Sequence, residues 1–266
     1  MIDRGKHDVL GVHIDAVDYE AAVDRVARAA HDGRGYAVSA LAVHGVMTGV
    51  LDREHRHRLN AFEMLVPDGQ PVRWALNLLH RTRLTDRVYG PNLMLRVCAR
   101  AAADGLPIFL FGGSAELLAA LQTKLLGLYP TLQIAGVRSS LFRRMTDAEE
   151  TALVDEVKRS GATILFIGLG CPRQEVSAFE LRQRLNMPLI AVGAAFNFHA
   201  GLLPQAPPGW QRRGLEWLFR LTREPTRLWR RYLLLNPLYL TLLGCQAMGL
   251  HPIVTGRPPS TRVRYG

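Results

Sequence analysis

The sequence predicts an α/β protein with a mostly parallel, Rossmann-like sheet, helices on both of its faces, and a basic helical C-terminal appendage. Short apolar runs alternate with segments of helical spacing from residue 9 to residue 197, which is typical of strands joined by helical crossovers. Residues 162–170 form a near-continuous apolar run, as central strands of a parallel sheet do. After residue 203 the chain becomes rich in proline and arginine, and this change predicts the appendage.

The predicted elements follow in a regular order, and turn and cap residues set their limits. Asp18 and Thr146 precede helical patterns as N-caps, and Thr146 begins a capping box with Glu149. We expect strands at 9–15, 36–41, 61–66, 107–111, 134–137, 162–170 and 188–197. We expect helices after Asp18, at 44–51, after Gly69, at 93–103, 115–128 and 146–160, and from about 174 to 185, with a charged, exposed segment at 53–58.

Asp68 follows the predicted strand 61–66 and precedes a helix, within the run Val66-Pro67-Asp68-Gly69. Ligands of open α/β sheets bind at the carboxyl ends of the strands, where an aspartate could accept a proton from a sugar hydroxyl. The alternative is a helix cap or an Asp-Gly turn. Polar and glycine-rich turns after other strands favour the functional interpretation.

Two of those turns offer backbone amides. Gly112 and Gly113 separate a strand from a helix, so a phosphate could approach the helix N-terminus closely. Their spacing is not that of a GxGxxG motif or a P-loop, so a tight turn is the alternative. Gly168 and Gly170 end another strand and offer a second set of bare amides.

Polar side chains accompany these turns. Gln174 and Glu175 follow the glycines at 168 and 170, and they could bind a ligand or belong to an exposed first helical turn. Arg87 precedes Gly90-Pro91, so it could reach an anion or remain a solvated surface arginine. We therefore predict a polar binding site at the carboxyl edge of the sheet.

The composition indicates a globular protein with an anionic partner. The 266 residues are 48% hydrophobic and carry a formal net charge of +10, and the isoelectric point is about 10.1. Three cysteines, Cys98, Cys171 and Cys245, lie far apart, so we expect buried thiols in a reducing compartment and no structural zinc. No apolar run follows the first residues, and we expect no secretory signal.

The appendage joins a basic segment to an apolar one. Residues 210–232 hold two acids and seven arginines: Arg212, Arg213, Arg220, Arg223, Arg227, Arg230 and Arg231. Pro225 should divide this segment into two helices. Residues 233–250 carry no charge, and we expect a helix on an anionic bilayer surface, the alternative being packing on the core or another subunit. The predicted divisions are a core at 1–203, the appendage at 204–256 and a disordered tail at 257–266.

Several blocks occur in the order seen in one family, and the chain resembles the WecG/TagA/CpsF glycosyltransferases from about residue 9 to 245. The blocks are Val66-Pro67-Asp68-Gly69, Arg87-Val88-Tyr89-Gly90-Pro91, Phe109-Leu110-Phe111-Gly112-Gly113, Ile167-Gly168-Leu169-Gly170-Cys171-Pro172-Arg173-Gln174-Glu175, Val192-Gly193-Ala194-Ala195-Phe196-Asn197-Phe198 and Gly214-Leu215-Glu216-Trp217-Leu218-Phe219-Arg220-Leu221.

The resemblance implies inverting transfer of a hexose-type sugar from a UDP-sugar to a polyprenyl-diphosphate-linked glycan at the cytoplasmic membrane face. Such enzymes build teichoic-acid linkage units, enterobacterial common antigen, capsule or exopolysaccharide. The resemblance makes Asp68 the catalytic base and places Arg87 and Gln174 in the active site. It also implies that the basic appendage associates with the membrane and completes the site, with Arg212, Arg213 and Arg220 as diphosphate-binding candidates.

The sequence departs from the family pattern near the expected sugar. Many members carry Thr and Asn where this chain has Ala40 and Ala42, and Ser39 is the candidate replacement in a shifted register. Asn92 and Asn197 stand where many or some members have Asp. These changes leave the donor sugar undefined, and the acceptor glycan is equally undefined.

Two other protein classes are alternatives to the transferase. A nucleotide-cofactor Rossmann enzyme should carry GxGxxG after the first strand, and the sequence has none. A nucleic-acid-binding protein would use the arginine-rich end, but those arginines run into an apolar segment that suits a membrane better. The sequence contains no Asp-x-Asp pair, so we expect no metal and no cofactor besides the UDP-sugar co-substrate. Homo-oligomerisation through the apolar segment stays open.

Overall fold

The computed structural model describes residues 1–250 and 255–266, apart from the side chains of Arg227 and Arg231. The strands are β1 (Asp3–Val9), β2 (Val12–Val17), β3 (Tyr36–Leu41), β4 (Met64–Pro67), β5 (Ile108–Phe111), β6 (Ile134–Arg138), β7 (Ile164–Ile167) and β8 (Pro188–Ala191). The helices are α1 (Tyr19–His31), α2 (Val43–Leu51), α3 (Arg53–Asn60), α4 (Gln70–His80), α5 (Gly90–Asp104), α6 (Ala115–Leu128), α7 (Asp147–Arg159), α8 (Arg173–Leu181), α9 (Ala195–His199), α10 (Pro208–Arg212), α11 (Glu216–Arg223) and α12 (Pro225–Ala247).

Six strands form one parallel sheet in the order β4-β3-β8-β7-β5-β6. Successive side chains of a strand point to opposite faces, so each strand contributes to two cores. In β5, Phe109 and Phe111 belong to one buried cluster, while Ile108 and Leu110 belong to the other. Helices cover both faces, and the predicted α/β fold is confirmed.

Local capping fixes several helix starts. The Asp18 side chain accepts the Ala21 amide at 2.9 Å at the start of α1. Thr146 and Glu149 form the predicted capping box at the start of α7. These helices therefore begin where the sequence predicts.

The predicted strand at 9–15 is wrong in its extent, because a turn interrupts it. Leu10 and Gly11 have φ angles of 58° and 84°, and β1 and β2 on either side form an antiparallel hairpin outside the main sheet. Asp15 of β2 accepts the backbone amide of Leu65 in β4 at 2.8 Å. The hairpin thus supports the strand that leads to Asp68.

The segment 53–58 is not exposed as predicted, since it forms most of α3 and buries three of its basic residues. His55, Arg56 and Arg58 are all buried. The Arg56 guanidinium donates hydrogen bonds to the carbonyls of Gly49 and Val50 at 2.9 and 2.6 Å. Burial is tolerated because the charge satisfies carbonyl groups at the end of α2.

The last sheet strand is shorter than predicted. β8 ends at Ala191, and Asn197 lies in the short helix α9. Apolar composition alone did not separate the strand from the helix that follows.

The appendage is helical, and Pro225 lies in the first turn of α12 as predicted. Tyr239 and Leu243 of α12 are buried in the core cluster that contains α2 residues Val46 and Met47. Other α12 side chains are exposed, namely Trp229, Leu233, Leu234, Leu238 and Leu240. In the described ranges, no helix has the length and hydropathy to cross a bilayer. Positions 251–254 of the predicted appendage lie outside the described residues.

Ion pairs join the tail 257–266 to the core. Arg257 pairs with Glu54 at 3.1 Å, and Arg262 pairs with Glu150 at 2.7 Å. The acidic partners lie far away in sequence, so local composition contained no signal for these contacts.

Candidate active site

A cavity of about 880 Å³ opens at the carboxyl edge of the sheet. Every strand of the main sheet delivers at least one lining residue at or just beyond its end. Taken in sheet order, these include Asp68, Leu41, Val192, Gly168, Ser114 and Ser140. Because parallel strands place their carboxyl ends on one edge, the fold itself assembles this cavity.

Asp68 lines the cavity directly after β4. The backbone amide of Asp68 donates a hydrogen bond to the Leu41 carbonyl at 3.1 Å, and Asp68 Oδ1 accepts a hydrogen bond from the Gly90 amide at 2.6 Å. Burial raises the pKa of Asp68 to about 6; the Arg87 charge opposes this increase and the Glu216 charge adds to it. At pH 7 the carboxylate is therefore mostly ionised, yet basic enough to accept a proton from a substrate.

Gly90 leaves little room for a side chain beside Asp68. A Cβ atom at Gly90 would lie 3.1 Å from the Ala40 Cβ and 3.3 Å from Asp68 Oδ1. The glycine therefore allows the first turn of α5 to approach the carboxylate. Ala40 and Ala42 both line the cavity, so the second-strand block presents methyl groups near Asp68.

Arg87 is held by the appendage. Its guanidinium donates to Glu216 Oε2 at 2.7 Å and to Gln211 Oε1 at 3.2 Å. It also lies 4.2 Å from the centre of the Tyr89 ring. Arg87 itself is buried, whereas Glu216 and Tyr89 line the cavity.

Ser39, Gln174 and Glu175 form a buried cluster. Glu175 Oε1 accepts hydrogen bonds from Ser39 Oγ at 2.9 Å and from Gln174 Nε2 at 2.8 Å. Burial raises the pKa of Glu175, and these two bonds oppose the increase. Gln174 lines the cavity, but its Oε1 is buried, and among the described residues none donates a hydrogen bond to it.

The glycines of the two turns have two roles: some allow close packing within the protein, and others line the cavity. A Cβ at Gly112, whose φ is 120°, would lie 2.7 Å from the Gly168 carbonyl carbon, so the two turns pack directly together. Gly113 and Gly170 line the cavity with φ angles of 75° and 78°. Gly168 also lines it and contacts the Phe196 ring, which a Cβ would approach to within 2.4 Å.

A model of the glycosyl transferase WecG/TagA/CpsF family matches residues 7–251. The chain belongs to this family. The resemblance found from the ordered motifs is thereby confirmed, and the protein is a transferase of a family that acts in cell-envelope polymer synthesis. This result favours the transferase over the Rossmann oxidoreductase and the nucleic-acid-binding protein.

In this WecG/TagA/CpsF protein the predicted site residues do not all meet at the cavity. Asn197 and Arg220 line it, and the Arg220 guanidinium lies 5.9 Å from the centre of the Phe198 ring. Asn92 is exposed on α5, and Arg212 and Arg213 are exposed at the end of α10. None of these three is among the described residues that line the cavity.

Sequence reasoning missed other cavity residues of this family member. Glu216 is one of two acids in a basic segment, and its position within a family block is the signal that could have identified it. Tyr89 lies in the same block as Arg87 and lines the cavity. His44 also lines it, and nothing in its local sequence marked it.

In the part of the chain that the structure describes, no group of three or more His, Cys, Asp or Glu side chains could hold a metal ion. The charged groups at this WecG/TagA/CpsF site include Asp68, whose pKa is raised, and the carboxylates of Glu175 and Glu216. Arginines line the cavity as well. Arg173 and Arg220 are the arginines that line the cavity.

Proposed function

We propose that the protein transfers a hexose-type sugar, with inversion, from a UDP-sugar to a polyprenyl-diphosphate-linked glycan. Asp68 removes the proton from the acceptor hydroxyl, which attacks the anomeric carbon on the face opposite UDP. The position of Asp68 supports this proposal most strongly, since its carboxylate has a raised pKa and lines a large cavity at the edge of the sheet. General-base catalysis of this kind contributes about 10²–10⁴-fold to the rate.

The leaving UDP requires donors or positive charge near its diphosphate. Gly113 and Gly170 bring backbone to the cavity, and Gly113 lies next to the N-cap of α6, where a helix favours anions. Arg173 and Arg220 can add charge from two sides. Arg212 and Arg213 are exposed and better placed for the lipid diphosphate or for an anionic surface than for the cavity.

We expect transfer to proceed without a divalent metal. The sequence has no Asp-x-Asp pair to hold one at the diphosphate, and the arginines together with the backbone amides supply the stabilisation in its place. Activity that persists in excess EDTA would support this expectation. Activity that EDTA removes and Mg²⁺ restores would refute it.

The acceptor's lipid places the enzyme at a membrane. The exposed leucines of α12 follow the arginine-rich segment 210–232 in the sequence, and this combination suits an anionic leaflet. We therefore propose peripheral association with the cytoplasmic face of the inner membrane. The same apolar face could instead be shared between two copies of the chain, which would appear as an oligomer in detergent-free solution.

The test is release of UDP from a panel of UDP-sugars, with and without a short-chain polyprenyl-diphosphate glycolipid. The intact protein is compared with Asp68→Asn and with Asp104→Asn, a control at the C-terminal end of α5. We expect acceptor-dependent release with one sugar, its loss in Asp68→Asn, and no change in Asp104→Asn. Full activity of Asp68→Asn would refute the role of Asp68 as the catalytic base.

UDP binding, measured by calorimetry, separates the remaining outcomes. Asp68→Asn should still bind UDP, because the change removes the base and leaves the diphosphate donors. A protein that releases UDP from no donor but binds UDP has been given the wrong sugar or acceptor. A protein that binds no UDP contradicts the proposed donor.

A further inference from the structure

Residues 257–266, here called the strap, lie against a loop of the cavity. The strap lies outside the segment 7–251 that matches the family. It pairs with the loop 139–145, which joins β6 to α7, through an antiparallel bridge between Arg144 and Tyr265. Two backbone hydrogen bonds make this bridge, one from the Met145 amide to the Arg264 carbonyl and one from the Gly266 amide to the Arg143 carbonyl, both at 3.1 Å.

A buried carboxylate anchors the strap. Glu150 is 1% exposed and pairs with Arg184 of the core at 2.9 Å. Arg262 and Arg264 of the strap approach the same carboxylate at 2.7 and 3.4 Å. A buried carboxylate is costly without compensating charge and hydrogen bonds, so the strap's arginines stabilise a group that the core would otherwise leave half compensated.

The strap also contacts the start of α8. The Tyr265 carbonyl accepts a hydrogen bond from Ser177 Oγ at 3.1 Å, and the Arg173 guanidinium lies 5.8 Å from the centre of the Tyr265 ring. Arg173 lines the cavity and directly precedes Gln174. The strap thus joins the loop 139–145 to α8, two cavity-lining segments that are separate in sequence.

These contacts lie at one end of the cavity. Gly266, Ser140, Phe142 and Arg173 line it near β5, β6 and β7, whereas Asp68 lies at the end of β4 on the opposite edge of the sheet. A donor whose sugar lies beside Asp68 and whose diphosphate lies at Gly113 and Gly170, as proposed above, extends its nucleoside toward β5 and β6. Phe142 offers that end an aromatic ring, which can stack on a base.

We propose that the strap positions the donor nucleotide, by holding the loop 139–145 and the start of α8 in place as the wall of the nucleoside end of the cavity. This role rests on the UDP-sugar donor proposed above. If the strap holds this wall in place before UDP binds, binding does not have to pay the conformational entropy of ordering it. The affinity for UDP is therefore higher with the strap than without it. Loss of the strap should therefore weaken donor binding and leave the Asp68 chemistry intact.

The experiment measures UDP binding by calorimetry to four forms of the full chain. These are the intact protein, the double variant Arg262→Gln/Arg264→Gln, the exposed-ring variant Phe142→Ala, and the control Arg257→Gln. Arg257 belongs to the strap but pairs with Glu54 on α3, away from the loop. We expect the double variant and Phe142→Ala to bind UDP about tenfold more weakly or worse, and Arg257→Gln to bind like the intact protein.

Kinetics and a synthetic peptide distinguish positioning from general instability. In the double variant, KM for the UDP-sugar should be higher than in the intact protein. Its kcat and the acid limb of the pH profile of its kcat/KM should be unchanged. A chain that lacks 257–266 should regain UDP affinity when a peptide of those ten residues is added. Phe142 is 66% exposed, so its variant should fold even if the double variant does not.

The possible failures can be told apart. Equal UDP affinity in all four forms would overturn the strap's role and leave the donor assignment standing. Failure of the intact protein to bind UDP would overturn the donor assignment and the strap's role together.

Discussion

The Arg87 guanidinium lies 2.7 Å from the Glu216 carboxylate and joins the core to α11 across 129 positions of sequence. Both side chains are largely buried. The Arg87 charge lowers the pKa of Asp68 and the Glu216 charge raises it. The appendage therefore affects the proton affinity of the proposed base as well as closing one side of the cavity.

Replacing Glu216 with Gln should lower the pKa of Asp68 from its value of about 6. The negative charge that favours the protonated form is lost, and Arg87 is left to act on Asp68 without its carboxylate partner. The acid limb of kcat/KM, expected near pH 6 in the intact enzyme, should move to lower pH.

The check is a pH profile of sugar transfer, with Glu116→Gln on the exposed start of α6 as the control. A limb that stays in place, or moves to higher pH, would contradict the proposed coupling between Glu216 and Asp68.

Replacing Gly168 with Ala should destabilise the fold. The added methyl would lie 2.4 Å from the Phe196 ring and must displace a buried aromatic side chain, which typically costs about 1–3 kcal/mol. Gly127 on α6 is a matched control because its Cβ would meet no atom within 4 Å. There, alanine should stabilise the helix by about 0.5–1 kcal/mol.

Urea unfolding of both variants measures these free energies. Similar midpoints for the two alanine variants would show that the turn after β7 adapts to the methyl and that the close approach to Phe196 is not required.

His55 should make stability fall in mild acid. Burial, together with the charge of Arg58, lowers the pKa of His55 to about 4, against about 6.5 in the unfolded chain. As pH falls below 6.5 the unfolded state takes up the proton first, so stability that is present above pH 6.5 is lost toward pH 4. Between pH 7.5 and pH 5 the loss should be about 2 kcal/mol.

Unfolding in urea at the two pH values tests this, with His55→Gln for comparison. The intact protein should lose more stability than the variant on acidification. An equal loss would assign the acid sensitivity to other groups.

Two leucines of α12 should contribute to membrane binding. Leu234 and Leu240 are each 61% exposed, and burying one leucine in lipid is worth roughly 1.5–3 kcal/mol. Leu234→Ser and Leu240→Ser should each weaken binding to phosphatidylglycerol vesicles about tenfold or more, as measured by co-sedimentation.

Leu126→Ser on α6 removes an exposed leucine elsewhere and should have no effect. If the α12 variants bind vesicles normally but change the oligomeric state, the apolar face is an interface between copies of the chain.

The sequence predicted the main sheet well because its strands are short, apolar and separated by clear turn residues. The same regularity placed Asp68, Gly113, Gly168 and Gly170 at strand ends, where the fold brings them to one cavity. These features are local, so a single sequence contains them.

The misses depend on contacts between distant segments. The buried charges of α3 satisfy carbonyls of α2, and the strap's arginines meet acids that are distant in sequence. The pairing of Arg87 with Glu216 is of the same kind. Leu10, by contrast, has a positive φ angle. The neighbouring Gly11 was the only local sequence signal for a turn at this position.

The sheet order also has a consequence for synthesis on the ribosome. The β3–β8 pair joins Val38 to Ile190, about 150 residues apart, and this pair connects the two halves of the sheet. At about 5–20 residues per second, β3 has to wait on the order of ten seconds or more for its partner. Until then its apolar edge is open to other chains, so the nascent protein should be a substrate for ribosome-associated chaperones.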